Sequence, residues 1–366
     1  MNTKRISALL LAVLLLTGLL AGCGTTVVVA PESGSSSAPA PEQTTPAAPA
    51  DNNTPAQPAG DGAVKTGLFI STSLGSSADA SADGDGVAQS DIVLIAVTVD
   101  DDGVIDDCVI DSIQAKIGFG ADGKLTTDPS TTFPSKNELG DAYGMRVASS
   151  IGKEWNEQMA ALADYAVGKK VSELKGVAVD ETGKAGDADL AASVTLYIGS
   201  FVDGIVAAAD SAQSLGASKG DQLNLASITN MSSSKDASAD GDGLAEAYAT
   251  IAAVTFSGDT VTSCYIDAVI ADVNFDTAGK ITTDLTAAPK SKNELGDDYG
   301  MRKASSIGKE WNEQAAGFSA YVTGKTASEI AGLAVDEGGK ATDVDLAASV
   351  TLSIGTFQAL IEKAAQ

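Results

Sequence analysis

The segment Ser135 to Gln158, SKNELGDAYGMRVASSIGKEWNEQ, occurs twice in this chain, and that limits what the chain can fold into. It returns from Ser291 to Gln314, changed only at Ala142/Asp298 and Val147/Lys303. From Lys136/Lys292 through Trp155/Trp311 to Thr195/Thr351 the offset stays at 156 residues. A period this long means a duplicated domain, because solenoid units are far shorter. Residues kept alike in both copies serve a shape, or a ligand, that is needed twice.

The ends of the chain set its address. Lys4 and Arg5 precede a Leu- and Ala-rich run from Ile6 to Leu19, followed by Leu20-Ala21-Gly22-Cys23. A basic start, an apolar stretch too short to span a membrane comfortably and a small-residue cleavage site read as a signal peptide, residues 1–22. Leu-Ala-Gly-Cys resembles the bacterial lipobox, which implies cleavage before Cys23 and a lipid on its thiol. Two or more acyl chains on one residue anchor a protein stably. The expected location is therefore extracytoplasmic, with the membrane as partner through the lipid. Residues 23–64 hold seven of the ten prolines among Ala, Ser, Thr and Gln, a composition that cannot bury enough surface to order itself. This stretch reads as a spacer.

The net charge of −26 becomes more negative once Lys4 and Arg5 leave with the leader. An acidic surface of this kind excludes nucleic acid as a partner and favours solubility outside the cell. Histidine is absent, which removes Ser-His-Asp and Cys-His nucleophiles and HExxH zinc sites. Cys108 and Cys264 hold matching positions in the two copies and read as buried free thiols.

The copies span 65–213 and 220–366, joined by the short Ser/Gly/Ala segment 214–219. Each opens with alternating β-branched runs separated by Asp-Gly turns: TGLFISTS, DIVLIAVTV, VIDDCVIDSIQAKIGF and KLTT in the first. This predicts an antiparallel meander of three or four strands. The period then turns helical: Ala148, Ile151, Trp155, Met159 and Leu162 share one side, as do Ala304, Ile307, Trp311, Ala315 and Phe318. A helical turn (VSELKG), a brief strand (VAVDE) and a second amphipathic helix marked by Ile198, Phe201, Val202 and Ile205 close the copy. Strands first and helices after predict an α+β fold: two tandem homologous domains, each an antiparallel meander with helices on one face.

The closing segments, Asp189 to Thr195 (DLAASVT) and Asp345 to Thr351, resemble the D-x-x-S-G-A-T stretch of the FMN-binding domain family. The order of elements fits that family, and the likeness covers both copies. The resemblance implies FMN, esterified through its phosphate to Thr195 and Thr351 by a flavin transferase, with Asp189, Asp345, Ser193 and Ser349 beside it. It implies a flavin-based electron carrier fed by a membrane donor rather than a turnover enzyme. One departure stands out: the family's Ser-Gly-Ala is replaced by Ala192-Ser193-Val194 and Ala348-Ser349-Val350, and losing the glycine narrows the backbone's freedom. The duplicated block offers groups to such a site: Tyr143/Tyr299 and Trp155/Trp311 as stacking rings, and Arg146/Arg302 or Lys153/Lys309 for phosphate. The other readings are helix capping by Ser193 or Asp189, core packing for the tryptophans, and a cell-surface binding or structural module that has lost the flavin. The acidic loops Ser81–Gly86 and Ser238–Gly243, with Asp79, Asp83 and Asp85 in the first, lack the ligand spacing of a calcium loop and read as solvated turns.

Overall fold

The computed structural model describes residues 62–366; the leader, Cys23 and most of the proline-rich stretch lie outside them. The first half contributes strands β1 (Lys65–Ser73), β2 (Gly86–Val99) and β3 (Ile105–Phe119). Helices α1 (Lys136–Leu139), α2 (Trp155–Ala166), α3 (Val171–Leu174), α4 (Ala188–Ala191) and α5 (Gly199–Asp210) follow. The second half repeats the order: β4 (Gln222–Asn230), β5 (Gly243–Ser257), β6 (Thr260–Phe275), α6 (Lys292–Leu295), α7 (Trp311–Val322), α8 (Ala327–Ala331), α9 (Val344–Ala347) and α10 (Gly355–Ala364). The fold is α+β with two three-stranded antiparallel sheets, ordered β1-β2-β3 and β4-β5-β6. Lys65 lies opposite Val99 and Gly86 opposite Phe119; Gln222 lies opposite Phe256 and Gly243 opposite Phe275. The KLTT segment and its partner add no fourth strand, giving only the single bridges Phe119–Leu125 and Phe275–Ile281. VAVDE likewise yields one bridge, Val179–Ala185.

Each sheet is covered on both faces. Successive side chains of a strand point to opposite sides, and the second half of β2 is apolar at nearly every position. Ile95, Val97 and Val99 meet Met159 and Leu162 of α2 and Ile205 of α5. Ile92, Leu94 and Ala96 turn the other way, into a core shared with Ala249, Ile251 and Ala253 of β5. The sequence led us to expect one core per copy. Each copy has one on its helix side, and the two sheets make a third between them. The layers run helices, sheet, sheet, helices. At the centre, Phe119 and Phe275 stack with centroids 4.3 Å apart and planes 7° from parallel.

The halves are also latched reciprocally, as the two sides of a twofold interface would be. Asp79 accepts the Ile281 N–H (2.8 Å) and Ala80 donates to the Gly279 carbonyl (2.8 Å). Asp236 accepts from Leu125 (2.9 Å) and Ala237 donates to Gly123 (2.8 Å). These acidic loops are therefore the latch between the halves. The segment 214–219 is tied in as well: Ala217 is buried and accepts from Val64 at 3.0 Å.

Gly279 sits at φ +69°, and a Cβ there would lie 2.6 Å from both Ala80 Cβ and the Gly120 carbonyl. Gly258, at φ +59°, faces open space. Gly279→Ala is expected to cost about 3 kcal/mol, a left-handed side chain plus a clash across the latch, against about 1 kcal/mol for Gly258→Ala. Urea midpoints of the two variants measure the difference.

Candidate functional site

The duplicated block is wound around one buried carboxylate. Glu154, 1 % exposed, accepts the backbone N–H groups of Met145 (2.8 Å) and Arg146 (2.7 Å), and its own N–H goes to Glu157 (2.7 Å). Glu310 repeats this with Met301, Arg302 and Glu313. This corrects the helix expected from Ala148, Ile151 and Trp155. Glu154 holds residues 145 and 146 in a loop, Gly152 turns the chain at φ +63°, and α2 begins only at Trp155. Ala304 and Ile307 lie before α7 in the same way.

Arg146 closes the loop it belongs to. Its guanidinium pairs with Asp141 (2.5 Å) and Glu157 (2.9 Å) and donates to the Gly152 carbonyl (3.0 Å). Arg302 does the same with Asp297, Glu313 and Gly308. The aromatic faces are occupied too. Lys136 Nζ stands 4.7 Å from the Tyr143 ring and 4.9 Å from that of Trp155. In the second copy Lys292, 5 % exposed, lies 4.6–4.9 Å from Tyr248, Tyr299 and Trp311 and donates to the Tyr248 hydroxyl at 2.9 Å. Burial pushes its pKa down to about 8. Both tryptophans are core residues, set edge-on against Phe201 and Phe357.

Thr195 lies in the loop between α4 and α5, four residues before Gly199 opens α5. The cap of α4 is Asp187, which accepts from Asp189 N–H (3.0 Å) and Leu190 N–H (2.9 Å), so neither Asp189 nor Ser193 is the cap. Asp343 plays this part for α9, and Asp189 and Asp345 are exposed. Ser349 turns its hydroxyl back to the Leu346 carbonyl (3.2 Å).

What holds Thr195 is Gln158. The fully buried amide oxygen of Gln158 accepts the Thr195 N–H at 2.8 Å and its Oγ1 hydroxyl at 3.2 Å. Its nitrogen donates to Ser149 Oγ (3.2 Å) and the Lys153 carbonyl (3.3 Å). Gln314 holds Thr351 at 2.8 and 3.1 Å and reaches Ser305 and Lys309. One side chain thus ties α2 or α7, the Glu-centred loop and the closing segment together. Neither glutamine was singled out from the sequence. The signal was there: a polar residue among Trp155, Met159 and Leu162 on the apolar side of a helix, retained in both copies.

A flavin phosphate on Thr195 Oγ1 would displace the Gln158 contact and leave a buried amide oxygen with one bond fewer. Arg146, Tyr143 and Trp155 are each already engaged. The donor set therefore does not fit a phosphoester as it stands. Among the described residues no group of three or more Cys, Asp or Glu is placed to hold a metal, and no helix is long and apolar enough to cross a membrane. Compared with known proteins, the chain matches no family model, no curated protein and no solved structure.

Proposed function

We propose that this chain is an extracytoplasmic binding or structural module of two tandem homologous repeats. A lipid on Cys23 holds it at the membrane and residues 23–64 carry the folded body outward. In this reading the FMN-binding-like elements are kept for their shape, and Thr195 and Thr351 are clamps. The observation that carries it is the Gln158–Thr195 contact, repeated as Gln314–Thr351. The second reading is a flavin-based electron carrier; the Asp-to-Thr spacing kept in both copies and the partial exposure of both threonines favour it.

The clamp has a measurable weight. Thr195→Val keeps the backbone bond to Gln158 and loses the hydroxyl's, and is expected to cost about 1 kcal/mol. Gln158→Ala strips Thr195 and Ser149 of partners and opens a cavity, and is expected to cost about 3 kcal/mol. Denaturant unfolding reads both. Equal stability of wild type and Thr195→Val would remove the structural role from the hydroxyl and return the flavin reading to first place.

A further inference from the structure

The outer edge of β3 keeps two backbone groups without a partner. Thr66 turns its N–H and C=O away from β2, to Gln213, which fixes the alternation of bonds across the sheet. Cys108, Ile110 and Ser112 therefore face outward from β3. Asp107 Oδ1 accepts the Cys108 N–H (2.7 Å), Asp111 Oδ1 accepts the Ser112 N–H (2.7 Å), and Asn137 Nδ2 donates to the Ile110 carbonyl (3.0 Å). Among the described residues nothing bonds the Cys108 carbonyl or the Ile110 N–H. Both residues are buried, where an unpaired backbone N–H is rare. The second repeat is alike: Asn293 Nδ2 donates to the Ile266 carbonyl at 3.0 Å, and the Cys264 carbonyl and Ile266 N–H are left over.

A free carbonyl and, two residues on, a free N–H on one edge are what a single residue of a parallel strand bonds. A cavity of about 280 Å³ opens beside them, lined by Cys108 and Ile110 from β3, Asn137 from α1, and Asn156, Ala160 and Asp164 from α2. Asn156 and Asp164 are eight residues apart on the helix, about 12 Å along its axis. That is the length of about four extended residues. A single water meets one such polar group and does not span that length. Asn156 Oδ1 is buried and unpartnered at one end, as Asn312 Oδ1 is in the second repeat. At the other end the Asp164 carboxylate is exposed, on a chain of net charge −26. Ala320 stands at its place in the second repeat, so only the first offers the charge.

We propose that this edge binds an extended, basic segment of a partner protein, laid parallel to β3. One residue of the segment donates its N–H to the Cys108 carbonyl and accepts the Ile110 N–H. The residues on either side of it point toward α2, as Cys108 and Ile110 do. The preceding one lies at the Cys108 end, where Asp164 stands, and is a lysine or arginine that pairs with that carboxylate. Main-chain bonds hold the segment and the charge selects it, as in other strand additions at a sheet edge. The site is separate from the Gln158–Thr195 clamp and stands or falls apart from it.

The test is a titration of the ¹⁵N-labelled protein with acetyl-Thr-Val-Lys-Val-Thr-amide, read at the Ile110 amide signal. A saturable shift is expected. N-methylation of the valine after the lysine removes the donor to Cys108 and should weaken binding at least about tenfold. N-methylation of the lysine, whose N–H points away from β3, should change it little. Asp164→Asn should weaken the lysine peptide about fivefold and leave its glutamine analogue unchanged. Ala160→Phe, at an exposed position of α2, fills the cavity and should abolish binding; thermal melts establish that both variants are native. No saturable shift at Ile110 would show a merely hydrated edge and overturn the proposal. Binding that survives both Ala160→Phe and N-methylation of that valine would overturn it equally.

Discussion

Phe119→Ala is expected to destabilise both halves of the molecule together, by about 4 kcal/mol. The ring is fully buried and stacked on Phe275 in the core between the sheets. Truncating a buried phenylalanine costs about 3–5 kcal/mol, and a stacked pair adds about 0.5–1.5 kcal/mol beyond its buried area. Little relaxation is available, because a Cβ on Gly86 would already stand 2.5 Å from the Phe119 ring. The double variant with Phe275→Ala should cost less than the two single losses added, since either alone removes the stack. The two tryptophans, one per repeat, make the shared loss visible. Trp155→Phe leaves only Trp311 as reporter, and Trp311→Phe leaves only Trp155. With a shared core, Phe119→Ala lowers the urea midpoint equally at both reporters. A shift at Trp155 with none at Trp311 would show two halves that unfold separately.

Stability should rise as the pH falls from about 7.5 to 5, the reverse of ordinary acid unfolding. Asp111 and Asp267 occupy matching positions on β3 and β6, and burial pushes each pKa up from 3.8 to about 6. Hydrogen bonds from Asn137 and Ser112, or from Asn293 and Ala268, only partly offset that burial. A carboxyl whose folded pKa lies above its unfolded one binds its proton more tightly when folded. The charged form is therefore a penalty at neutral pH, relieved as pH drops through about 6 and gone below about 4. Two pKa units correspond to about 2–3 kcal/mol per carboxyl. Below pH 4 the trend reverses, because exposed Asp180, Asp276 and Asp284, held below 3.8 by their hydrogen bonds, lose those bonds on protonation. Asp111→Asn with Asp267→Asn keeps an acceptor for the backbone and cannot charge. Melting temperature against pH should therefore be flatter in the double variant and higher than wild type at pH 7.5. Parallel profiles, or a wild type less stable at pH 5 than at 7.5, would contradict the burial account.

Much of the fold is legible in the sequence because its patterns are local. Alternation gave the strands of the meander, and the spacing of Val202 and Ile205 marked α5. The layer between the sheets was harder to see, although DIVLIAVTV held the clue: a run apolar at consecutive positions must be covered on both faces. What covers the second face is the other copy, and that pairing is long-range. The start of α2 was misplaced for a similar reason. Ala148 and Ile151 keep helical spacing, yet Glu154 draws the backbone of 145 and 146 into a loop, a contact no periodicity records. At the candidate site the motif drew attention to Thr195 along the chain. Its partner Gln158 lies 37 residues earlier and carries no motif of its own. The latch from Asp79 to Ile281 spans 202 residues and was equally invisible.

The account rests on a threonine hydroxyl engaged inward in each repeat. Intact mass of the protein, co-expressed with a flavin transferase and supplied with flavin dinucleotide, tests it most directly. The expected result is a colourless protein without a flavin adduct, its mass unchanged by Thr195→Ala and Thr351→Ala apart from the substitutions themselves. Two FMN-sized additions, each lost with one of those threonines, would contradict it and establish the carrier.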